Sequence, residues 1–213
     1  MDTQMTLVFA SNNAHKLDEV RAIMPAGIRV LSLHDIGFEQ EIEETGTTLP
    51  ENSAIKARAV ADFINDRMSA SLNDEMMIDG VFADDTGLEI DALGGKPGVH
   101  TARWYLEDGG EELSDQANFA ANRAKALREL AGREDRGCQF RTVITLLRGE
   151  EMTQVEGVVR GVMTQEERGT SGFGYDAIFM PEGYDKTCGE LPIEIKNKIS
   201  HRARALARLV KIL

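Results

Sequence analysis

Apolar positions recur along this chain in two rhythms. The run MTLVFA (residues 5–10) is continuous and β-rich, whereas Leu17, Val20 and Met24 behind it are spaced as one face of a helix. Residues 28–33 (IRVLSL) then alternate apolar with polar, so the opening predicts strand, helix, strand: a βαβ unit. A polar, acidic stretch (34–47) leads into TLPE, where Thr48 as N-cap, Glu51 three residues on and Pro50 in the first turn predict a helix running to about Met68. SASLND (69–74) reads as a loop and MIDGVFAD (77–84) as a strand. Residues 88–93 form another alternating segment, broken by GGKPG (94–98). Residues 114–131, with Phe119, Leu127 and Leu130, predict an amphipathic helix. CQFRTVITLLRG and TQVEGVVRGVM predict an antiparallel pair joined near Gly149 and Glu150. A last helix carries Ala203, Leu206, Val210 and Leu213 on one stripe. The sum is an α/β chain with a mixed sheet.

Composition narrows the class of function. The 213 residues suffice for one large domain or two small lobes, and 42% apolar with 28% charged residues is the balance of a soluble globular protein. A net charge of −12 argues against bulk binding to nucleic acid or an anionic membrane, while leaving room for a local basic pocket. The start, MDTQMTLVFA, lacks the basic residues and apolar length of a signal peptide, and no run approaches a membrane span, so a cytoplasmic location is expected. Cys138 and Cys188 lack zinc-site spacing and read as packed thiols rather than a disulfide framework.

Five segments carry candidate chemistry. SNNAHK (11–16) places small polar residues and Lys16 between a strand and a helix N-terminus, where anions are favoured, although an ordinary cap would look the same. Asn52 and Lys56, four apart on the next helix, could grip phosphate oxygens or form a solvated face. In FADDTGLE the adjacent Asp84 and Asp85 repel each other, and a strand-end pair followed by Thr and Gly suits either a Mg²⁺ site or a tight acidic turn. FGYDAIF sets Phe173 and Tyr175 where aromatic faces could sandwich a base, or simply fill a core. Lys196, His201 and Arg202 gather cations at the start of the last helix, which is unfavourable unless an anion compensates. No P-loop or dinucleotide fingerprint occurs. Together these are the parts of a metal-assisted nucleotide phosphohydrolase.

At this point the chain resembles the inosine/xanthosine triphosphate pyrophosphatases, which hydrolyse non-standard purine nucleoside triphosphates. The resemblance rests on VFASNNAHKLDEV, EETGTTLPENSAIKA, ADDTGLEIDALGGKPGVHTARW, GFGYDAIF and ISHRARAL, in the family order over nearly the whole chain. It implies one elongated domain spanning residues 1–213, with two lobes, a central cleft and a homodimer. It also implies a phosphate-binding loop at Ser11, Asn12, Asn13, Ala14, His15 and Lys16, with Lys56 contacting phosphate from its helix. Glu44 and Asp85 become the Mg²⁺ ligands, with Asp85 also the catalytic base and Thr86 touching substrate. Phe173, Gly174, Tyr175 and Asp176 surround the base, and Lys196, His201 and Arg202 complete the substrate contacts. The chain departs from the family pattern at SNN, where TGN is commoner, at Thr86 in place of Ser, at Ala177 in place of Pro, and in a long 64–79 region. None of these removes a charged or metal-binding group. The rival readings are a phosphatase working through an aspartyl-phosphate and a non-catalytic nucleotide-binding module.

Overall fold

A computed structural model of the chain describes residues 5–70, 77–109, 111 and 113–213. The opening is the expected βαβ unit: β1 (Met5–Phe9), α1 (Ala14–Ile23) and β2 (Ile28–Leu31), with Leu7 paired to Val30 in a parallel ladder. α2 (Leu49–Ala70) begins at a complete capping box. Thr48 Oγ1 accepts the Glu51 N–H at 3.3 Å, and the Glu51 carboxylate accepts the N–H groups of Thr48 and Thr47 at 3.1 and 2.8 Å. The helix extends to Ala70, into the segment expected as a loop, and the rest of that loop (71–74) lies outside the described residues.

The main departure from expectation is β3 (Gly80–Ile90). It is one eleven-residue strand running through the acidic pair, where the sequence suggested a strand end at the aspartates and a second segment beyond. β4 (Pro97–Gly98) pairs antiparallel with its far end. α3 (Asp115–Glu129), β5 (Gly137–Arg148) and β6 (Glu151–Met163) follow, and β5 and β6 are joined by the expected two-residue turn. β7 (Phe179–Pro181), α4 (Ile193–Ile199) and α5 (His201–Val210) close the order. The sheet is seven-stranded and mixed, ordered β2-β1-β3-β5-β6-β7 with β4 beside β3. Among the described residues no helix is long and apolar enough to cross a membrane.

The chain divides into two compact units. The first comprises Met1–Asp85, Thr142–Gly157 and Ala205–Leu213, and the second Thr86–Arg141 and Val158–Arg204. In the first unit the sheet is covered on both faces. Leu7, Phe9 and Phe82 meet α1 and the end of α5 through Val20, Leu206 and Leu209, while Val8, Val81 and Ala83 meet α2 through Ala57 and Val60. In the second unit the core gathers Leu88, Ile90, Trp104, Phe140, Tyr175 and Phe179.

The expected single last helix is two helices. Ser200 breaks them with extended backbone (ψ 156°), and its Oγ accepts the Ala203 N–H at 3.1 Å, so a cap residue restarts the helix where the sequence pattern read straight through. α5 buries Ala203 and Leu206, as expected, together with Arg202, Ala205 and Leu209; Val210 and Leu213 are only partly covered. Three further carbonyls of β6 have partners outside β5. Arg204 donates to Val158 O at 2.8 Å in the second unit, where the Glu182 N–H donates to Arg160 O at 3.0 Å. In the first unit Arg208 donates to Glu156 O at 2.8 Å.

Candidate active site

Two adjacent aspartates are tolerable in β3 because successive side chains of a strand point to opposite faces. Asp84 shares the face of Phe82, toward α1, and its Oδ1 accepts from Lys16 Nζ at 2.9 Å. Asp85 shares the face of Val81 and Ala83, toward α2, and its Oδ1 accepts from Lys56 Nζ at 3.2 Å. The pair is therefore no turn. Two helices each supply one lysine to one carboxylate, and both aspartates are buried.

The loop at residues 11–16 caps α1. Asn13 Oδ1 accepts the Lys16 N–H at 3.0 Å and Ser11 Oγ accepts the Asn13 N–H at 3.3 Å, so these two side chains shape the turn, while Asn12, Ala14 and His15 are exposed on it. Asn52 does not face out as a phosphate ligand. It is buried, and its Oδ1 accepts the Gly46 N–H at 2.8 Å, which ties down the segment carrying Glu44. A β-carbon on Gly46 would stand 2.6 Å from that oxygen, so only glycine lets the two approach. Glu44 is exposed, and its Oε2 accepts from Lys56 Nζ at 3.1 Å.

Lys56 thus lies between Glu44 and Asp85, where a cation belongs. Burial works to lower its pKa, but the carboxylates of Asp85, Glu44 and Asp84 override that and hold it above the ordinary lysine value. Burial pushes the Asp85 carboxyl up, against the pull of Lys56 and Lys16, and Glu44 and Asp84 push the same way as burial. Three carboxylates face two ammonium groups, leaving negative charge in excess. Asp85 Oδ2 is buried and has no hydrogen-bond partner, which is costly in a native interior unless a ligand completes it. Among the described residues no three His, Cys, Asp or Glu side chains form a ready cage. That donor set fits Mg²⁺, which uses one or two carboxylates and completes its shell with water and substrate phosphates. It does not fit zinc.

The second unit holds the other expected residues. Phe173 lies between Gly172 (φ +79°) and Gly174 (φ +61°), and a β-carbon on Gly172 would collide with the Asp176 carboxylate. Asp176 Oδ2 accepts both the Phe173 N–H at 2.8 Å and Lys196 Nζ at 2.6 Å. Lys196 Nζ stands 4.8 Å and Arg202 Cζ 6.0 Å from the Phe173 ring centre. Arg202 also donates to Thr86 Oγ1 at 3.4 Å, and the His201 ring stacks on Phe140 at 4.9 Å. Tyr175 points the other way. It is buried in the unit's core with its hydroxyl donating to Thr101 O at 2.9 Å, and burial raises its pKa. Lys196 lies in the C-terminal part of α4, where a cation is favourable, so only His201 and Arg202 start a helix.

Sequence reasoning passed over Arg123, whose Nη1 donates to Gly174 O at 2.9 Å from α3, and Lys125, buried against Trp104 O and Asp108. Their partners are remote in sequence, and no local pattern marks them.

Residues 7–212 match the model of the Ham1 family. The chain belongs to the Ham1 family. A curated relative from Bacillus subtilis, named dITP/XTP pyrophosphatase, is 45% identical over 97% of this chain and 96% of its own. A second of the same name, from Flavobacterium johnsoniae, is 41% identical over 98% of both. The solved Ham1 proteins of Staphylococcus aureus and Coxiella burnetii superpose with TM-scores of 0.79 and 0.80 at 35% and 33% identity, covering 97% and 98% of both chains. The α/β class with a mixed sheet, expected from the sequence pattern, is thus the Ham1 fold.

Proposed function

We propose that this protein hydrolyses non-standard purine nucleoside triphosphates (ITP, dITP and XTP) to the monophosphate and pyrophosphate, with Mg²⁺ as cofactor. The curated relatives at 41% and 45% identity are named dITP/XTP pyrophosphatase, which supports the reading. The observation that carries the reading in this chain is the buried, unpartnered Oδ2 of Asp85 beside Glu44 and two lysines.

Glu44 and Asp85 would hold the metal, which when bound neutralises triphosphate oxygens and lowers the pKa of a coordinated water. Asp85, raised in pKa by burial, is suited to take a proton from the attacking water. Lys16 and Lys56 balance charge on the phosphates, with Asp84 fixing the Lys16 ammonium at 2.9 Å. In the second unit the Phe173 ring supplies an apolar face, and Asp176 orients both its backbone and Lys196. Arg202 can donate to the C6 oxygen of hypoxanthine or xanthine, whereas adenine offers an amino donor there. A homodimer in the cytoplasm belongs to the same proposal, and analytical ultracentrifugation tests the dimer.

The deciding experiment is turnover of ITP, XTP, dITP, ATP and GTP with Mg²⁺, with pyrophosphate and orthophosphate assayed separately. Pyrophosphate release on the first three, abolished by EDTA, is expected. Equal rates on ATP, or orthophosphate alone, would overturn the proposal.

A further inference from the structure

The Phe173 ring is carried on a turn closed by one backbone bond, the Asp176 N–H donating to Phe173 O at 3.2 Å. Glycines with positive φ stand on both sides of Phe173, and neither has a side chain to pack. Asp176 fixes the N–H of Phe173 from within the turn. The other end of the turn, the Gly174 carbonyl, is fixed from α3, where Arg123 Nη1 donates to it at 2.9 Å. That guanidinium is also ion-paired, its Nε standing 3.0 Å from Glu167 Oε1 without the alignment of a hydrogen bond, so the carboxylate braces it by charge. The Arg123 side chain is mostly covered, at 18% exposure, and so has little freedom to swing away. One turn earlier on the same helix face, the Phe119 ring meets Phe173 at 5.9 Å between centres, tilted by 48°. Helix α3 therefore holds the turn by its carbonyl and backs the ring.

We infer that Arg123, braced by Glu167 and working with Phe119, is a positioning residue for purine recognition, setting the place of the Phe173 ring through the Gly174 carbonyl. The inference rests on the proposed reading of that turn as the base-binding segment. Arg123 touches no reacting atom, so its loss should weaken binding of the base and leave the phosphate chemistry intact. Arginine suits the task because its planar guanidinium can donate to the carbonyl from one end while its charge stays paired with a carboxylate at the other, which a flexible ammonium does less well.

The test compares wild type, Arg123→Gln and Arg123→Lys with ITP as substrate and pyrophosphate, a ligand with no base, as inhibitor. Arg123→Gln should raise KM for ITP about five- to tenfold, the scale of one charge-assisted hydrogen bond acting through a neighbour, with kcat within about twofold. The inhibition constant for pyrophosphate should not move, and Arg123→Lys should recover part of the KM. Should Arg123→Gln fail to fold, Glu167→Gln, which removes only the brace, should shift KM in the same direction by a smaller factor. An unchanged KM, a fall in kcat alone, or a parallel weakening of pyrophosphate inhibition would each overturn the positioning role. A wild-type protein that does not hydrolyse ITP would instead overturn the reading beneath it.

Discussion

Asp85→Asn keeps the shape of the side chain and removes a charge that its surroundings penalise. In the folded chain that carboxylate has one bond, from Lys56 at 3.2 Å, and one buried oxygen with no partner. Asparagine can still offer Lys56 an acceptor, so what the change removes is the buried charge, whose desolvation outweighs the attraction of Lys56 and Lys16. Lys56 would not be stranded by the change, because Glu44 still accepts from it at 3.1 Å. The variant should therefore gain about 1 kcal/mol without ligand, a rise in Tm of about 2–4 °C for a chain of this size, while turnover falls by about a hundredfold or more. The sign with pH follows from the raised pKa of Asp85. A carboxyl that holds its proton more tightly folded than unfolded penalises the fold once both states are ionised. The gain should be present near pH 7 and vanish below the ordinary value of 3.8, where both states are protonated. Urea unfolding of both proteins at pH 7 and pH 3.5, with m compared, reads this directly. A variant less stable by more than about 1 kcal/mol at pH 7 with unchanged m would refute the reasoning, since the ion pair would then outweigh the desolvation of its carboxylate.

Tyr175→Phe removes the buried donor to Thr101 O and should cost about 1–2 kcal/mol in urea unfolding, with KM for ITP within about twofold, because the hydroxyl faces the core. Asp35 is held below the usual carboxylate range first by the Ser32 N–H and then by the Ser32 hydroxyl and Arg21, which contributes stability above the unfolded pKa. Asp35→Asn should cost about 0.5 kcal/mol at pH 7 after allowing for its solvent exposure, a difference that disappears as pH falls below 3.8. Burial pushes the Cys138 thiol up to about 12, so at pH 8 it should resist iodoacetamide in the folded protein and react on unfolding, as followed by mass spectrometry.

What the sequence disclosed depended on how local the determining contacts are. The βαβ opening and the Thr48/Glu51 box are short-range patterns, and both appear as expected. The acidic pair in the middle of β3 looks like a turn in sequence, because the lysines that make it tolerable, Lys16 and Lys56, lie 68 and 29 residues away and reach its two faces only in the fold. The break at Ser200 was hidden because helical residues flank a single cap. The helix of Asn52 is legible from the capping box, but its partner is the Gly46 backbone, a loop contact that spacing along the helix does not encode. Phe173 and Tyr175 look equivalent in FGYD, yet one ring meets Lys196 and the other enters the core.

The arginines along β6 bear on how the chain is made. Arg204 and Arg208 occupy carbonyls of Val158 and Glu156 that would otherwise form part of an open template for another strand. Both arginines lie on α5, which is synthesised after β6, so a nascent chain passes through an interval in which the strand exists and its cover does not. Slow synthesis or poor docking of α5 would lengthen that interval and favour strand pairing between neighbouring nascent chains.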